Sequence, residues 1–282
     1  MNVISALGPK SEGLSVSVVV YRSDVVQLNA TLVSLAAACE AVRATNGSFP
    51  ITLYLVDNDG NLPDVSAAFN LLHVHNVIVT IISGQGNVGY GRGHNLAIER
   101  SNSLYHLILN PDIELALDAL EKAVDFFESN AEVGLISPWI GDDLGRQQFL
   151  CRRYPALLDL FARGFLPARL RRMFQGRLFR YEMRDKINAH DVVLDPPIIS
   201  GCFMLFRTAV LKELGGFDAR YFLYFEDYDL SLRAHDLTRI AYAPAVRVLH
   251  HGGGAARKGI AHIRMFIASA YKFFNRFGWK WL

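Results

Sequence analysis

Two adjacent carboxylates, Glu226 and Asp227, stand between an aromatic run, Tyr221-Phe222-Leu223-Tyr224-Phe225, and a helically spaced segment at residues 228–234, where Leu230 and Leu232 are available for packing. A carboxylate walled by aromatic rings sits in a low dielectric, which raises its pKa towards the range where it takes a proton from a hydroxyl. The same pair at a helix start would also answer the positive end of the helix dipole, so a capping role stays open from the residues alone. A third carboxylate, Asp112, ends a hydrophobic run in Asn110-Pro111-Asp112. Proline fixes its own φ and restricts its neighbour, so Asp112 has little backbone freedom. One such group suits a Mg2+ or Mn2+ ion that bridges phosphate oxygens, since these ions need only one or two protein carboxylates. A plain turn is the competing reading. His250 and His251, followed by Gly252-Gly253-Gly254, close another hydrophobic run, a setting for a metal ligand, a phosphate contact or a purely structural histidine.

These groups need strands that end together. Residues 16–21 form a β-branched run of the kind buried on both faces; a helical pattern follows to about residue 45, and a second run at 51–56 ends in Asp57-Asn58-Asp59-Gly60. Strand, helix, strand is a βαβ opening, whose carboxyl ends share the edge where open α/β sheets bind ligands. Tyr21 and Asp57 belong to that edge. A third strand at 77–82 leads into Gly84, Gly86, Gly89, Gly91 and Gly93, then a helix at 96–101. Glycines so dense indicate tight turns and close approach of backbone to a ligand. Gly84, Gly86 and Gly89 meet the dinucleotide spacing, yet that fingerprint belongs to the first strand-to-helix turn, which disfavours a dehydrogenase. A strand at 105–109 delivers Asp112, and a helix at 117–128 and a strand at 133–137 follow. In Gly141-Asp142-Asp143-Leu144-Gly145 the glycines favour a turn over a metal pair. Residues 198–206 return to the sheet ahead of Glu226 and Asp227. The fold class is α/β, with a mostly parallel central sheet flanked by helices, a basic helical insertion and a C-terminal amphipathic helix.

With 282 residues, 51% of them hydrophobic, the chain can bury one large core, and disorder is excluded as its main theme. Cys39, Cys151 and Cys202 have no CxxC spacing and no signal peptide precedes them, which argues against a disulfide framework or zinc site and for a reducing, cytosolic setting. No apolar run approaches the roughly 18 residues of a membrane span. The net charge of +2 conceals a basic segment: residues 152–184 hold nine arginines against Asp159 and Glu182. Such a segment points to an anionic partner or to a solvated helix face. Phe161, Phe165, Leu170 and Met173 interleave with the arginines, as in an interfacial amphipathic helix rather than a nucleic-acid groove. Beyond His262, rings from Phe266 to Trp281 stand beside Lys272, Arg276 and Lys280; attachment to lipid headgroups and packing onto the domain are both open. Residues 1–14 read as a loose arm, 15–262 as one domain with 152–190 its acceptor-facing or membrane-facing segment, and 263–282 as the amphipathic helix.

VSVVVY at 16–21, VDN at 56–58, GNVGYGRGHN at 86–95, LNPD at 109–112, SGCFMLFR at 200–207, GGFD at 215–218, YFEDYDLSLR at 224–233 and HHGGG at 250–254 occur in the order of, and together resemble, the family 2 glycosyltransferases. Within that family the chain looks most like bacterial rhamnosyltransferases of O-antigen and other cell-surface polysaccharides. The resemblance implies a GT-A fold that transfers a sugar from a nucleotide diphosphate to a hydroxyl with inversion. It implies that Asp57 contacts the base, that Gly86, Asn87, Gly89 and Asn95 form the nucleotide-sugar loop, and that Tyr21, Asn58 and Asn110 lie on the donor side. Asp112 would carry the Mg2+ or Mn2+ ion, His250 would complete the metal or diphosphate site, and Asp227 would be the base, with Glu226 as the alternative. Gly201, Cys202, Arg207 and Tyr224 fall on the acceptor side. Many members carry Asp-x-Asp where this chain has Asn110-Pro111-Asp112, and a carboxamide is the poorer metal ligand. The rhamnosyl branch shares Asn-Pro-Asp, which favours dTDP-L-rhamnose over a UDP-hexose as donor. A single displacement needs a base and a cation but no enzyme nucleophile, which suits this residue set. The arginines and aromatic tail suggest a lipid-linked acceptor, N-acetylglucosaminyl-diphospho-undecaprenol, and a peripheral place on the inner face of the cytoplasmic membrane, without nucleic acid. A non-catalytic membrane-associated scaffold of the same fold would tolerate loss of Asp112 and Asp227. A nucleotidyltransferase would need other metal carboxylates and a triphosphate.

Overall fold

Strand β1 (Leu14–Val20) is buried along its whole length, as a β-branched run requires when strands flank it and helices cover both faces. The computed structural model describes residues 12–251 and 259–282; the expected arm lies almost wholly outside them, as do the glycines after His251. β1 pairs in parallel with β2 (Ile51–Asp57) and β4 (Tyr105–Leu109), and β2 in parallel with the edge strand β3 (Val77–Ile82). Helices α1 (Val25–Asn46), α2 (Ser66–Val74) and α3 (Tyr90–Arg100) connect them. Tyr21, Asp57 and Asn110 therefore gather at one edge.

Beyond β4 the sheet changes character. β5 (Ile113–Leu115), α4 (Ala119–Ser129) and β6 (Val133–Gly141) come next, then α5 (Leu157–Gly164), α6 (Ala168–Arg171), a 3-10 turn at Arg172–Phe174 and α7 (Gln175–Tyr181). β7 (Val193–Leu194), β8 (Phe203–Arg207), α8 (Thr208–Glu213), α9 (Glu226–Ala234), β9 (Arg239–His250) and α10 (Ile260–Phe277) complete the chain. The strand order is β3-β2-β1-β4-β8-β6-β9-β5, with β7 added on β9. β8 runs antiparallel to both β4 and β6, while β5 and β7 run antiparallel to β9. Only β6 with β9 is parallel in this half, so the parallel character belongs to the N-terminal strands.

Several boundaries differ from those the sequence suggests, each for a packing reason. α3 begins at Tyr90 rather than near residue 96, with Gly91 and Gly93 inside it. A Cβ on Gly93 would stand 2.9 Å from Val19, and one on Gly91 2.8 Å from Phe217, so these two glycines serve helix packing rather than ligand approach. β6 continues through Pro138 because a register shift there lets β9 bulge between Ala243 and Arg247. α1 has the length and apolarity of a membrane-spanning helix, with mean hydropathy 1.5, where no such run was expected; here its Leu28, Leu32, Leu35, Cys39 and Val42 face is buried in the core. The basic segment is broken into short helices rather than one amphipathic helix, with Pro167 capping α6. Arg177 pairs with Asp159, Arg163 and Arg184 with Glu182, and Arg153 with Asp185 just past the segment. α10 does pack onto the domain, burying Phe273 and Phe274 against Phe225, and its other face exposes Ile260, Ile263, Ile267 and Tyr271.

A polar thread runs under the parallel strands. The Ser17 hydroxyl lies 2.7 Å from His94 Nδ1 and 2.9 Å from His106 Nε2, and the Ser15 hydroxyl 2.6 Å from His106 Nδ1. Burial holds the His94 imidazole well below the usual range and lowers His106 to about 3. Both rings are neutral in the fold but protonate in the unfolded chain once pH falls below about 6.5. Stability should therefore drop as pH falls from there towards about 3, by about 1.4 kcal/mol per pH unit from His106, with His94 acting in the same direction. Thermal melts across that window should show a falling midpoint, with a shallower slope in His106→Gln; a flat wild-type profile would contradict the assignment.

Candidate active site

Helix α9 opens on Glu226 directly after two aromatic residues in left-handed conformation, Tyr224 at φ 70° and Phe225 at φ 64°. Bulky residues at such φ cost about 1–2 kcal/mol each. The turn is held from outside: the Phe225 ring packs 5.1 Å from Phe266 and 5.2 Å from Phe273 of α10, and the Tyr224 hydroxyl lies 2.9 Å from His262 Nδ1. That geometry aims both carboxylates inward. Asp227 accepts from the Gly201 N–H at 3.0 Å through Oδ2 and from the Tyr228 N–H at 2.9 Å through Oδ1. Glu226 Oε2 is buried with no hydrogen-bond partner among the described residues.

Burial raises the Asp227 carboxyl, opposed by its two N–H donors; burial first, and the Asp227 charge second, raise Glu226 to about 8. Two adjacent buried carboxylates resist ionising together. The N–H donors settle the single charge on Asp227 and leave Glu226 protonated near neutral pH. A cavity of about 540 Å³ opens in front of the pair, walled by Tyr224, Tyr228, Phe266, Arg152 and Arg163, a size that encloses a small organic ligand.

The sheet edge supplies the second half of the site. Asp57 Oδ1 accepts from the Asp59 and Gly60 N–H groups, each at 2.9 Å, and no described residue bonds its Oδ2. Asn58 donates to the Gly89 carbonyl at 3.1 Å and accepts from Gln85, so it fastens the glycine loop to β2. Asn87 Oδ1 accepts from the Gly89 N–H at 3.1 Å. Gly86 and Gly89 both have positive φ, and a Cβ on Gly89 would stand 2.4 Å from the Phe222 carbonyl oxygen. Tyr21 is exposed just past β1.

Asp112 and His250 meet across β5 and β9, with Asp112 Oδ2 3.6 Å from His250 Nε2. Gln148 fixes the ring: its Nε2 donates to the His250 carbonyl at 3.0 Å, so its Oε1, 3.1 Å from His250 Nδ1, is the acceptor of an Nδ1–H. The ring therefore turns its Nε2 edge towards Asp112, whose Oδ1 is buried without a partner among the described residues. Two electron-pair donors so placed, the ring oriented from behind, are what a divalent cation requires. No cluster of three or more His, Cys, Asp or Glu side chains able to hold a metal occurs among the described residues. The set thus fits Mg2+ or Mn2+ completed by substrate phosphates, not a closed structural site. Burial raises the Asp112 carboxyl, but His250 and the Asn110 side chain outweigh it and leave it lowered. His251 is engaged elsewhere, by Asp143 and Glu114, and Asp142 caps its own turn through Leu144 and Arg146.

Three expectations need correction. Arg207 sits at the opposite edge of the sheet, opposite Tyr105, because β8 runs antiparallel to β4. Its guanidinium donates to the Val133, Phe127 and Asn130 carbonyls, clamping the end of α4. Asn95 spends its amide on the Phe217 backbone, donating to the carbonyl at 2.8 Å and accepting from the N–H at 2.9 Å. Gly201 and Cys202 act through their backbones rather than as acceptor contacts: Gly201 holds Asp227, and the Cys202 carbonyl accepts from the Asn110 N–H at 2.9 Å. The Cys202 thiol is buried and pushed up to about 12.

Tyr90, Gln148 and Arg152 were not singled out from the sequence. The Tyr90 hydroxyl donates to the Gly201 carbonyl at 2.6 Å, and burial with the nearby charges of Glu226, Asp227 and Asp112 holds its phenol well above the usual range. Tyr90 thus stands where the two carboxylate sites approach each other. The one signal for it was its place inside the GNVGYGRGHN stretch.

A family model described as Glycosyl transferase family 2 matches residues 15–215. The N-acetylglucosaminyl-diphospho-decaprenol L-rhamnosyltransferase of Mycobacterium tuberculosis is 26% identical over 242 residues, covering 79% of this chain and 74% of that protein. Rhamnosyltransferase WbbL of Escherichia coli is 28% identical over 179 residues, covering 60% of this chain and 63% of that one. Among solved structures, GalNAc-T7 with UDP, GalNAc and Mn2+ superposes with a TM-score of 0.58 at 14% identity over 86% of this chain and 43% of that chain. TarS of S. aureus does so with a TM-score of 0.56 at 16% identity, over 93% and 40%. The shared architecture is the GT-A fold, and with the family match running from β1 past β8 the chain belongs to glycosyl transferase family 2 and is a glycosyltransferase.

Proposed function

We propose that this glycosyltransferase moves L-rhamnose from dTDP-L-rhamnose, with inversion, to a hydroxyl of a lipid-linked saccharide, in cell-surface polysaccharide synthesis at the inner face of the cytoplasmic membrane. The observation that carries the reading is the convergence around Tyr90 of a buried, ionised Asp227 and the Asp112–His250 pair. Asp227 takes the proton of the acceptor hydroxyl as its oxygen bonds the anomeric carbon and the nucleoside diphosphate leaves. A divalent cation held by Asp112 and His250 would neutralise charge on that diphosphate. Asp57, with its free Oδ2, is placed to accept from the base, and the loop at Gly86, Asn87 and Gly89 brings backbone close to the donor. The choice of rhamnose is supported by the names of the two rhamnosyltransferases to which the chain is similar, and that of a diphosphate-bearing lipid by the name of the Mycobacterium tuberculosis one.

Membrane contact is supported by apolar side chains exposed beside cations: Ile260, Ile263 and Ile267 on α10, Trp279 and Trp281 beyond it, and Phe165, Leu170 and Met173 in the basic segment. The protein should float with vesicles rich in anionic lipid at low salt and detach as salt rises; retention in the soluble fraction at low salt would count against a membrane site. Calorimetry against dTDP-L-rhamnose, UDP-glucose and UDP-galactose, with and without Mn2+, tests the donor. Binding of the dTDP sugar alone is expected; preference for a UDP sugar would keep the mechanism and discard rhamnose.

A further inference from the structure

A second cavity, of about 510 Å³, is lined by Arg163, Arg171, Arg172, Arg184, Phe179 and Glu182. Arg163 and Arg171 also line the cavity that holds Asp227, so the two spaces adjoin. Four guanidinium groups here face one carboxylate. Glu182 is already shared between Arg163 at 3.4 Å and Arg184 at 2.7 Å, and Arg171 and Arg172 make no ion pair among the described residues. Deeper in, Arg152 is only 3% exposed, yet it too lies within ion-pair distance of no described carboxylate; it donates to the Phe149 and Cys151 carbonyls. Arg163, Arg171, Arg172 and Arg184 are exposed, so four like charges crowd one wall with a single carboxylate between them, and an anion held there would offset their mutual repulsion.

We propose that Arg163, Arg171, Arg172 and Arg184 form the subsite for the diphosphate of the acceptor, in line with Asp227. The proposal rests on the reading that the acceptor is a lipid-linked sugar diphosphate, and it says where such a molecule lies. Its terminal sugar stands between Tyr224, Tyr228 and Phe266 with a hydroxyl at Asp227. Its diphosphate, with two negative charges as a diester, meets planar groups whose paired N–H donors match phosphate oxygens. Its lipid leaves over Phe165, Leu170 and Met173, which are 47%, 49% and 80% exposed. The donor diphosphate is not a competing occupant, because Asp112, just before β5, and His250, at the end of β9, are outside both cavity walls.

Geranyl diphosphate is the direct probe, free of any sugar and of any need for turnover. It should bind the wild type and bind Arg171→Gln/Arg172→Gln at least tenfold more weakly, with partial return in Arg171→Lys/Arg172→Lys; geranyl alcohol should bind neither well. Equal binding to wild type and variant, or none to the wild type, overturns the subsite. Vesicles of phosphatidylglycerol separate the other source of phosphate. Lost flotation in the Gln variant with geranyl diphosphate binding unchanged would assign these arginines to lipid headgroups and overturn the proposal. The subsite and the proposed reaction fail separately. A wild type that binds the probe through these arginines but transfers no sugar to a diphosphate-linked saccharide refutes the reaction alone. Transfer with an unchanged acceptor KM in the Gln variant refutes the subsite alone.

Discussion

Asp227→Asn should lower kcat by about 10²–10⁴, while Glu226→Gln stays within about tenfold of the wild type. Asparagine can keep accepting from the Gly201 N–H that holds Asp227 at 3.0 Å, but it cannot take a proton. Glutamine resembles the neutral Glu226 that burial already enforces, so little changes near neutral pH. The pH profile separates the two carboxylates further. Because the base must be ionised, kcat/KM should fall as pH drops through the raised pKa of Asp227. Above about 8 Glu226 ionises and adds a second negative charge beside the base; an alkaline change in rate should appear there and vanish in Glu226→Gln. Transfer assays across pH on the three proteins provide the check. A severe defect in Glu226→Gln with a mild one in Asp227→Asn would reverse the assignment.

Asp112→Ala should abolish the metal-stimulated part of donor binding, weakening it by about 100-fold or more, since a bound cation supplies several kcal/mol of charge stabilisation. His250→Ala removes one of two ligands. Gln148→Ala removes only the group that orients the ring, and losses of about 10–100-fold are typical of such partners. Calorimetry of the nucleotide sugar with and without Mn2+ ranks the three variants. Donor affinity in Asp112→Ala that still rises with Mn2+ as in the wild type would remove Asp112 from the metal site.

The parallel half of the fold is legible in the sequence because β1 and β4 are apolar-rich runs buried along their whole length, and β2 and β3 are rich in β-branched residues even though the edge strand β3 exposes Ile78 and Ile81. β5, three residues long, carries too little pattern to be read, and the start of α3 is hidden because its packing glycines imitate a loop. Asp112 could be placed because it follows β4, a run that must end at the sheet edge, whereas Asp227 follows an aromatic turn rather than a strand and is marked only by its neighbours. Arg207 could not: it stands close in sequence to Gly201, but β8 carries it about 17 Å away, to the far edge. Gln148 shows its role only through His250, 102 residues away. The left-handed turn at Tyr224 and Phe225 has no sequence mark at all, because a glycine would announce such a φ and two aromatic residues do not.

The strand order also sets a timetable for a chain emerging from the ribosome. β1 to β4 are complete by Leu109 and can pair as soon as they are outside the exit tunnel. Among the described residues β5 has no strand partner but β9, and β6 no strand partner but β8 and β9, so strands translated early must wait for residues up to His250. At about 5–20 residues per second that delay lasts on the order of ten seconds, with apolar edges unpaired and open to misassembly. A nascent chain therefore acquires its parallel sheet edge well before the helix that carries Asp227, and chaperone dependence should concentrate in that interval.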